Sequence, residues 1–240
     1  MDKQDFVSDL INEASKNNIF IDEQTAVKIE QFKSILLEWN EKINLTRITN
    51  SDDFIKKHVI DSLMVINRVC VKKDSKIIDI GTGPGIPGIL IKLLRPDLHV
   101  SLLESQRKKA NFIQYALEQM KLTDVIIIND RAENAAKKRD FREKYDIAVA
   151  RAVSSLNVLL ELCLPFVRIG GTFVAMKGED PKQEISEAKN SIRVLKGKIE
   201  EIIDYSLDNE NKRTLVLIKK IGKTPADYPR RPGIPAKKPL

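Results

Sequence analysis

The run KIIDIGTGPGIPG, residues 76–88, gathers the residue types that can hold a nucleoside. Gly83, Gly85 and Gly88 satisfy G-x-G-x-x-G, and Glu104 follows Gly83 by 21 residues, where an acid can accept hydrogen bonds from a ribose. A dinucleotide fits that spacing as well as any other nucleoside does, so the spacing decides nothing. Electrostatics separates the two. A pyrophosphate needs free N–H groups at a helix N-terminus and no negative charge close by. Asp79 stands two residues before Gly81, and Pro84 and Pro87 remove two backbone donors. Both features suit a zwitterion with an ammonium group and a ribose but no phosphate, of which S-adenosylmethionine is the common case. The structural alternative is that Asp79 caps the turn behind it.

Two more chain segments offer chemistry. Asp130-Arg131-Ala132-Glu133 follows an apolar run, where backbone N–H groups or a carboxylate could meet adenine; Glu133 could equally serve the helix dipole. Arg151, in AVARAV, could clamp a carboxylate or a phosphate, or form a structural ion pair. Cys70 and Cys163 are far apart and lack histidines at metal spacing, so a zinc site and a disulfide scaffold are both disfavoured. Cys163 reads as buried filler, Trp39 as core, and His58 and His99 as structural rather than as bases.

These residues need elements to position them. In residues 22–39, Ile29, Phe32, Leu36 and Trp39 recur at helical spacing behind Asp22 as N-cap, and residues 53–68 repeat the pattern; Asn44 to Ile48 reads as a loop. From residue 76, short strands (76–80, 98–103, 125–129, 145–150, 172–176) alternate with helices near 86–95, 106–120, 155–166 and 181–195. Gly170-Gly171 reads as a turn before the fifth strand. Such alternation predicts a parallel sheet covered on both faces. The last two strands, 199–207 and 213–219, are joined by too few residues for a crossover and must form an antiparallel hairpin. The expected fold is therefore α/β, Rossmann-like, with a mostly parallel seven-stranded sheet ending in a hairpin. It divides into a helical extension (1–70), a cofactor-binding core (71–220) and a tail (221–240).

The 240 residues carry 41 basic and 34 acidic side chains, with 42% hydrophobic residues, so the chain is neither disordered nor too small for a core. No apolar run is long enough to span a bilayer, and the N-terminus lacks signal-peptide character, which makes the cytoplasm the expected compartment. The charge is uneven. Residues 219–240 hold seven basic side chains against Asp227, together with five of the ten prolines. That segment reads as a solvated tail outside the core, or as an arm for a polyanion.

The runs DIGTGPGIPG, LLESQRKKANF, RAE (131–133), ARAV (150–153), MKG (176–178) and YPRRPGIPAKKPL, with WNEKINLT and HVIDSL near the start, together resemble the RsmG family, also called GidB, of bacterial small-subunit ribosomal RNA methyltransferases. The resemblance runs from about residue 35 to the end. It implies a class I methyltransferase fold, with S-adenosylmethionine as donor and N7 of one guanine in a conserved 16S rRNA loop as acceptor. Carried over by motif position, Gly81, Ile86, Ala132, Glu133 and Arg151 would contact the cofactor, and Asp79, Gly83, Gly85 and Glu104 would complete its cradle. The expected partner is 16S rRNA or the small ribosomal subunit, with no membrane, no metal and a monomeric chain. Lys108, Lys109, Lys177, Arg230, Arg231, Lys237 and Lys238 are the expected phosphate contacts.

Guanine N7 has an in-plane lone pair and no proton, so its methylation needs alignment rather than a base. The sequence lacks the NPPY-like segment of amino-group methyltransferases and the Pro-Cys that attacks pyrimidines. The competing readings are a methyltransferase for another RNA, a protein or a small molecule, a nicotinamide-dependent oxidoreductase, and a non-catalytic RNA-binding module.

Overall fold

The computed structural model describes residues 3–151 and 154–240; Ala152 and Val153 of the ARAV run lie outside the described residues. Helices α1 (Lys3–Lys16) and α2 (Glu23–Asn40) open the chain, and Asp22 caps α2 by accepting the Thr25 N–H at 2.7 Å. A short α3 (Ser51–Asp53) leads into a π-helical turn, Phe54–Ile60, and α4 (Asp61–Arg68). The expected single helix over 53–68 is thus wider at its start, which turns Phe54, His58 and Asp61 all into the protein, where each is buried.

The sheet follows: β1 (Lys76–Ile80), α5 (Gly88–Leu94), β2 (His99–Leu103), α6 (Arg107–Gln119), β3 (Val125–Ile128), α7 (Ala132–Ala135), β4 (Tyr145–Arg151), α8 (Leu156–Cys163), β5 (Val167–Lys177), α9 (Lys182–Glu187), α10 (Lys189–Val194), β6 (Gly197–Ser206), β7 (Lys212–Lys220) and α11 (Ile234–Lys237). The strand order is β3-β2-β1-β4-β5-β7-β6. The first five strands are parallel, and β7 pairs antiparallel with both β5 and β6, as the short β6–β7 connection demands. Two details differ from the sequence reading. Gly170-Gly171 lies inside β5, as a bulge between the Tyr145 and Ile147 pairings. The helix expected over 181–195 is two short ones, because Ala188 closes α9 and opens α10.

Each sheet face has its own apolar cluster. Phe6, Leu10, Ile29, Phe32, Leu36, Phe54 and Leu63 from the first helices join Ile77, Val100, Val149 and Val174 of the strands. Phe6, Leu10, Ala14 and Ile19, which precede the motif-bearing part of the chain, therefore belong to the core. On the opposite face, Ile78, Ala148, Phe173 and Ile218 pack with Leu156, Leu160 and Cys163 of α8, and Tyr228 and Leu240 of the tail lie against them. The tail is accordingly not the free, core-excluded segment its composition suggests. Lys220, counted there as surface charge, is buried at the end of β7, where Leu164 O, Thr224 Oγ1 and Glu143 surround its ammonium.

Candidate functional site

The glycine loop leaves the carboxyl end of β1 inside the sheet, where the strand order reverses, with β2 and β3 on one side and β4 and β5 on the other. Gly81, Gly83 and Gly85 all have positive φ (69°, 60° and 90°), a conformation side chains resist. The N–H groups of Gly81 and Thr82 donate to Leu103 O at 2.9 and 3.1 Å, which moors the loop to β2. At Gly83 a Cβ would meet nothing within 4 Å, so the loop there borders open space. At Gly88 a Cβ would collide with Leu102 and press on Asp79.

Asp79 lies under this loop with no exposed surface. Its Oδ2 accepts Thr82 Oγ1–H at 2.5 Å and the Gly88 N–H at 2.8 Å, so it caps α5. Its Oδ1 has no hydrogen-bond partner, alone among fully buried side-chain polar atoms of the described residues. Burial raises its pKa to about 6, although Thr82 and Gly88 both favour the charged form. Glu104, also buried, accepts the Gly83 N–H at 3.0 Å through Oε2 and the Gln106 N–H at 2.7 Å through Oε1. Each carboxylate oxygen keeps a further lone pair. A half-open cradle with a partner-short carboxylate beneath it and a second acid at the end of β2 suits a cationic nucleoside. It fits a diphosphate poorly.

A hollow of about 730 Å³ opens from the loop toward the N-terminal helices. Gly81 to Pro84 and Ile86 form one wall, Leu45, Ile48, Lys57, His58 and Asp61 the other, and Arg151, Met176 and Lys177 the floor. The second wall depends on Asn40, whose side-chain oxygen accepts the N–H groups of Leu45 and Thr46 at 2.8 and 2.9 Å and so shapes the NLT loop. Arg151 does not wait there as a free clamp. Its Nη1 donates to Lys57 O at 2.8 Å and Asp61 Oδ2 at 3.2 Å, and its Nη2 lies 3.0 Å from His58 Nδ1. An arginine only donates, so His58 Nδ1 accepts and the imidazole proton sits on Nε2, facing Thr46 Oγ1 at 2.9 Å. Burial, then the Arg151 charge, push the His58 pKa down to about 3. Tyr205 completes the group by donating to Asp61 Oδ1 at 2.7 Å. Burial and the Asp61 charge hold that phenol well above the usual range, so its proton stays.

Other expected residues lie elsewhere or are already engaged. Ala132 and Glu133 sit at the end of β3 and are buried, but Glu133 Oε1 accepts the Gly233 N–H of the tail at 3.0 Å. Lys177, expected as a phosphate contact, bonds Ser154 O at 2.8 Å and Glu184 at 2.6 Å, with only 9% of its side chain exposed. Arg230, expected in the same role, grips Glu161 with Nε and Nη2 at 2.9 and 2.7 Å. Lys108, Arg231, Lys237 and Lys238 are exposed, and Lys109 is half-buried at the hollow's rim. Asp61 entered the sequence reading only through the HVIDSL motif, and His58 as a structural histidine with no partner named. The signal for both was available: HVIDSLMVI places polar groups inside an apolar stretch, which requires partners. Glu161 in LNVLLELC carried the same signal and was missed.

A mostly parallel seven-stranded sheet of this order, closed by a hairpin and bearing a glycine loop after β1, defines a class I methyltransferase fold. Two solved structures share it. M. jannaschii TYW2 in complex with AdoMet matches with a TM-score of 0.56 at 13% identity, over 73% of this chain and 80% of that one. A SAM-dependent methyltransferase from Aquifex aeolicus matches at 0.53, also at 13% identity, over 69% and 92%. Within that class the sequence is more particular. The family model for rRNA small subunit methyltransferase G (GidB) matches residues 25–215. The ribosomal RNA small subunit methyltransferase G of Clostridium novyi (strain NT) is 43% identical over 242 residues, covering all of both chains. That of Acetivibrio thermocellus is 44% identical over 232 residues, 96% of this chain and 95% of the relative. The chain belongs to this rRNA methyltransferase family.

Proposed function

We propose that the chain transfers the methyl group of S-adenosylmethionine to N7 of one guanine in 16S rRNA. The bound donor would supply an electrophilic sulfonium methyl. The chain's own residues do the rest. Gly81, Gly83, Gly85 and Ile86 cradle the donor over Asp79, whose negative charge favours a cation. Glu104 holds the ribose with the lone pairs left after its two backbone bonds. Ala132 and Glu133 meet the adenine, and Arg151 orders the floor between donor and acceptor.

The observation that carries the N7 reading is the state of the hollow's titratable groups. His58 has both ring nitrogens engaged and stays neutral. Asp61 is paired with Arg151 and Tyr205, and Glu184 with Lys177. Each of these three is already held by a protein partner, which favours an acceptor that arrives with its own lone pair. Guanine N7 does; an exocyclic amine does not. Alignment and exclusion of water then perform the chemistry. The acceptor base must stand clear of its stack to enter such a hollow. Its phosphates would meet Lys108, Lys109, Arg231, Lys237 and Lys238.

The test is incubation of the purified chain with S-adenosylmethionine and either naked 16S rRNA or small subunits, followed by nucleoside mass spectrometry. One 7-methylguanosine per rRNA is expected. A methyl group on an amine or a ribose would refute the N7 assignment. Calorimetric binding of NAD without binding of S-adenosylmethionine would refute the donor.

A further inference from the structure

The basic, proline-rich tail drew attention as an RNA arm, yet its strongest contacts are with the protein itself. Arg142 donates to three tail carbonyls, of Tyr228 at 2.9 Å, Thr224 at 3.0 Å and Pro225 at 3.2 Å, and to Ala136 O at 3.2 Å. It thus joins the start of the tail to the end of α7. Next along the chain, Arg230 forks onto Glu161, and its backbone N–H donates to the same carboxylate at 2.8 Å. Glu161 is 1% exposed, so this pair is a buried anchor rather than a surface ion pair. Three residues later Gly233, at φ +82°, turns its N–H onto Glu133 Oε1. Among the described residues the only other group on that oxygen is the exposed Arg131, at 3.5 Å.

We propose that the tail, residues 224–240, is a positioning element of the donor site: anchored by Arg230 on Glu161, it holds Glu133 and the turn 130–133 in place through the Gly233 N–H. The proposal rests on the reading above, in which Ala132 and Glu133 meet the donor's adenine. Its physical content is that α7 is a single turn, too short to hold itself. Glu133 is 3% exposed, and without Gly233 it would keep one long bond. Such a carboxylate rotates toward water and takes its backbone with it. Gly233 is needed at its position for conformation: a Cβ there would meet nothing within 4 Å, but φ lies in the left-handed region.

The experiment uses the full chain with Arg230→Ala and, separately, Gly233→Ala, which leaves the Glu161 anchor intact and should fold if the first does not. Calorimetric affinity for S-adenosylhomocysteine should fall about tenfold in each, the loss of one charge-assisted hydrogen bond. Hydrogen exchange without ligand should quicken at the amides of 130–136. The KM for S-adenosylmethionine should rise while that for rRNA stands. Unchanged affinity and exchange in a folded Gly233→Ala would overturn the proposal, and an effect on the rRNA KM alone would return the tail to the role of an RNA arm. Failure of the unaltered chain to bind S-adenosylhomocysteine would instead overturn the reading of the site on which the proposal rests.

Discussion

Two segments from opposite ends of the chain cover the two faces of the sheet, and they do so by different physics. The N-terminal helices bury Phe6, Leu10, Phe32, Leu36 and Phe54 in a continuous apolar cluster. The tail buries few apolar side chains and is held by arginines on carbonyls and carboxylates. The first mode tolerates small shifts, because apolar contact has little directionality. The second is directional, and losing one partner leaves the other buried and uncompensated. On the function proposed above, a wall that admits a base can rest on the first, and a turn that holds the donor at one place benefits from the second.

The sharpest way to break this comparison is to hollow out the apolar side. Phe54 is fully buried, with the Phe6 ring 6.3 Å away and the His58 ring 5.3 Å away. Phe54→Ala should cost about 4 kcal/mol in denaturant unfolding, the usual range for a buried phenylalanine. High salt should not diminish the loss. Arg230→Ala should cost about 2 kcal/mol, less than a fully buried pair because a quarter of the arginine side chain is exposed. A cost for Arg230→Ala that exceeds the Phe54→Ala cost would invert the proposed division of labour.

Titration sharpens the contrast within the site itself. His58 has a folded pKa of about 3 against an ordinary 6.5. The unfolded chain therefore binds a proton first, and stability contributed by the neutral imidazole is lost as pH falls through 6.5 toward 3, by about 2 kcal/mol between pH 6.5 and 5. Asp79 runs the other way. Its folded pKa, about 6, lies above the ordinary 3.8, so its contribution is lost as pH rises from about 4 to 6. Asp79→Asn should therefore remove the loss of stability between about pH 4 and 6 from a thermal-denaturation profile, and His58→Gln the loss that sets in as pH falls below 6.5. If both variants left the profile's shape intact, the buried geometry of these two groups would be wrong.

The legibility of the molecule follows the same line. The strands, the glycine loop and the N-terminal helices were readable because period and local spacing encode them. The loop over 44–48 and the hairpin were readable for the same reason. The engagements of Arg151, Arg230 and Glu133 were not, because their partners lie about 90, 69 and 100 residues away along the chain. Polar pairing at such separation leaves no periodic trace. It leaves only an acid stranded in an apolar run, as at Glu161 and Asp61, and that signal says a partner exists without saying which. Composition misled at the tail for a related reason: proline and charge argue against a core, but they do not forbid docking by hydrogen bonds.

The smallest expected effect tests the comparison most finely, because it separates two adjacent arginines. Arg230 is neutralised by Glu161, whereas Arg231 is exposed, as are Lys237 and Lys238. A cation already paired in the free protein releases no counterion from RNA when the complex forms. The plot of log affinity for rRNA against log salt should therefore keep its slope in Arg230→Ala. In Arg231→Ala the slope should decrease by about 0.7, the value for one phosphate contact on a single strand. Folding stability of Arg231→Ala should stay within about 0.5 kcal/mol of the unaltered chain, as for other surface substitutions. Equal slopes for the two variants would mean that Arg230 leaves Glu161 to reach the RNA, and that the tail is docked only until its substrate arrives.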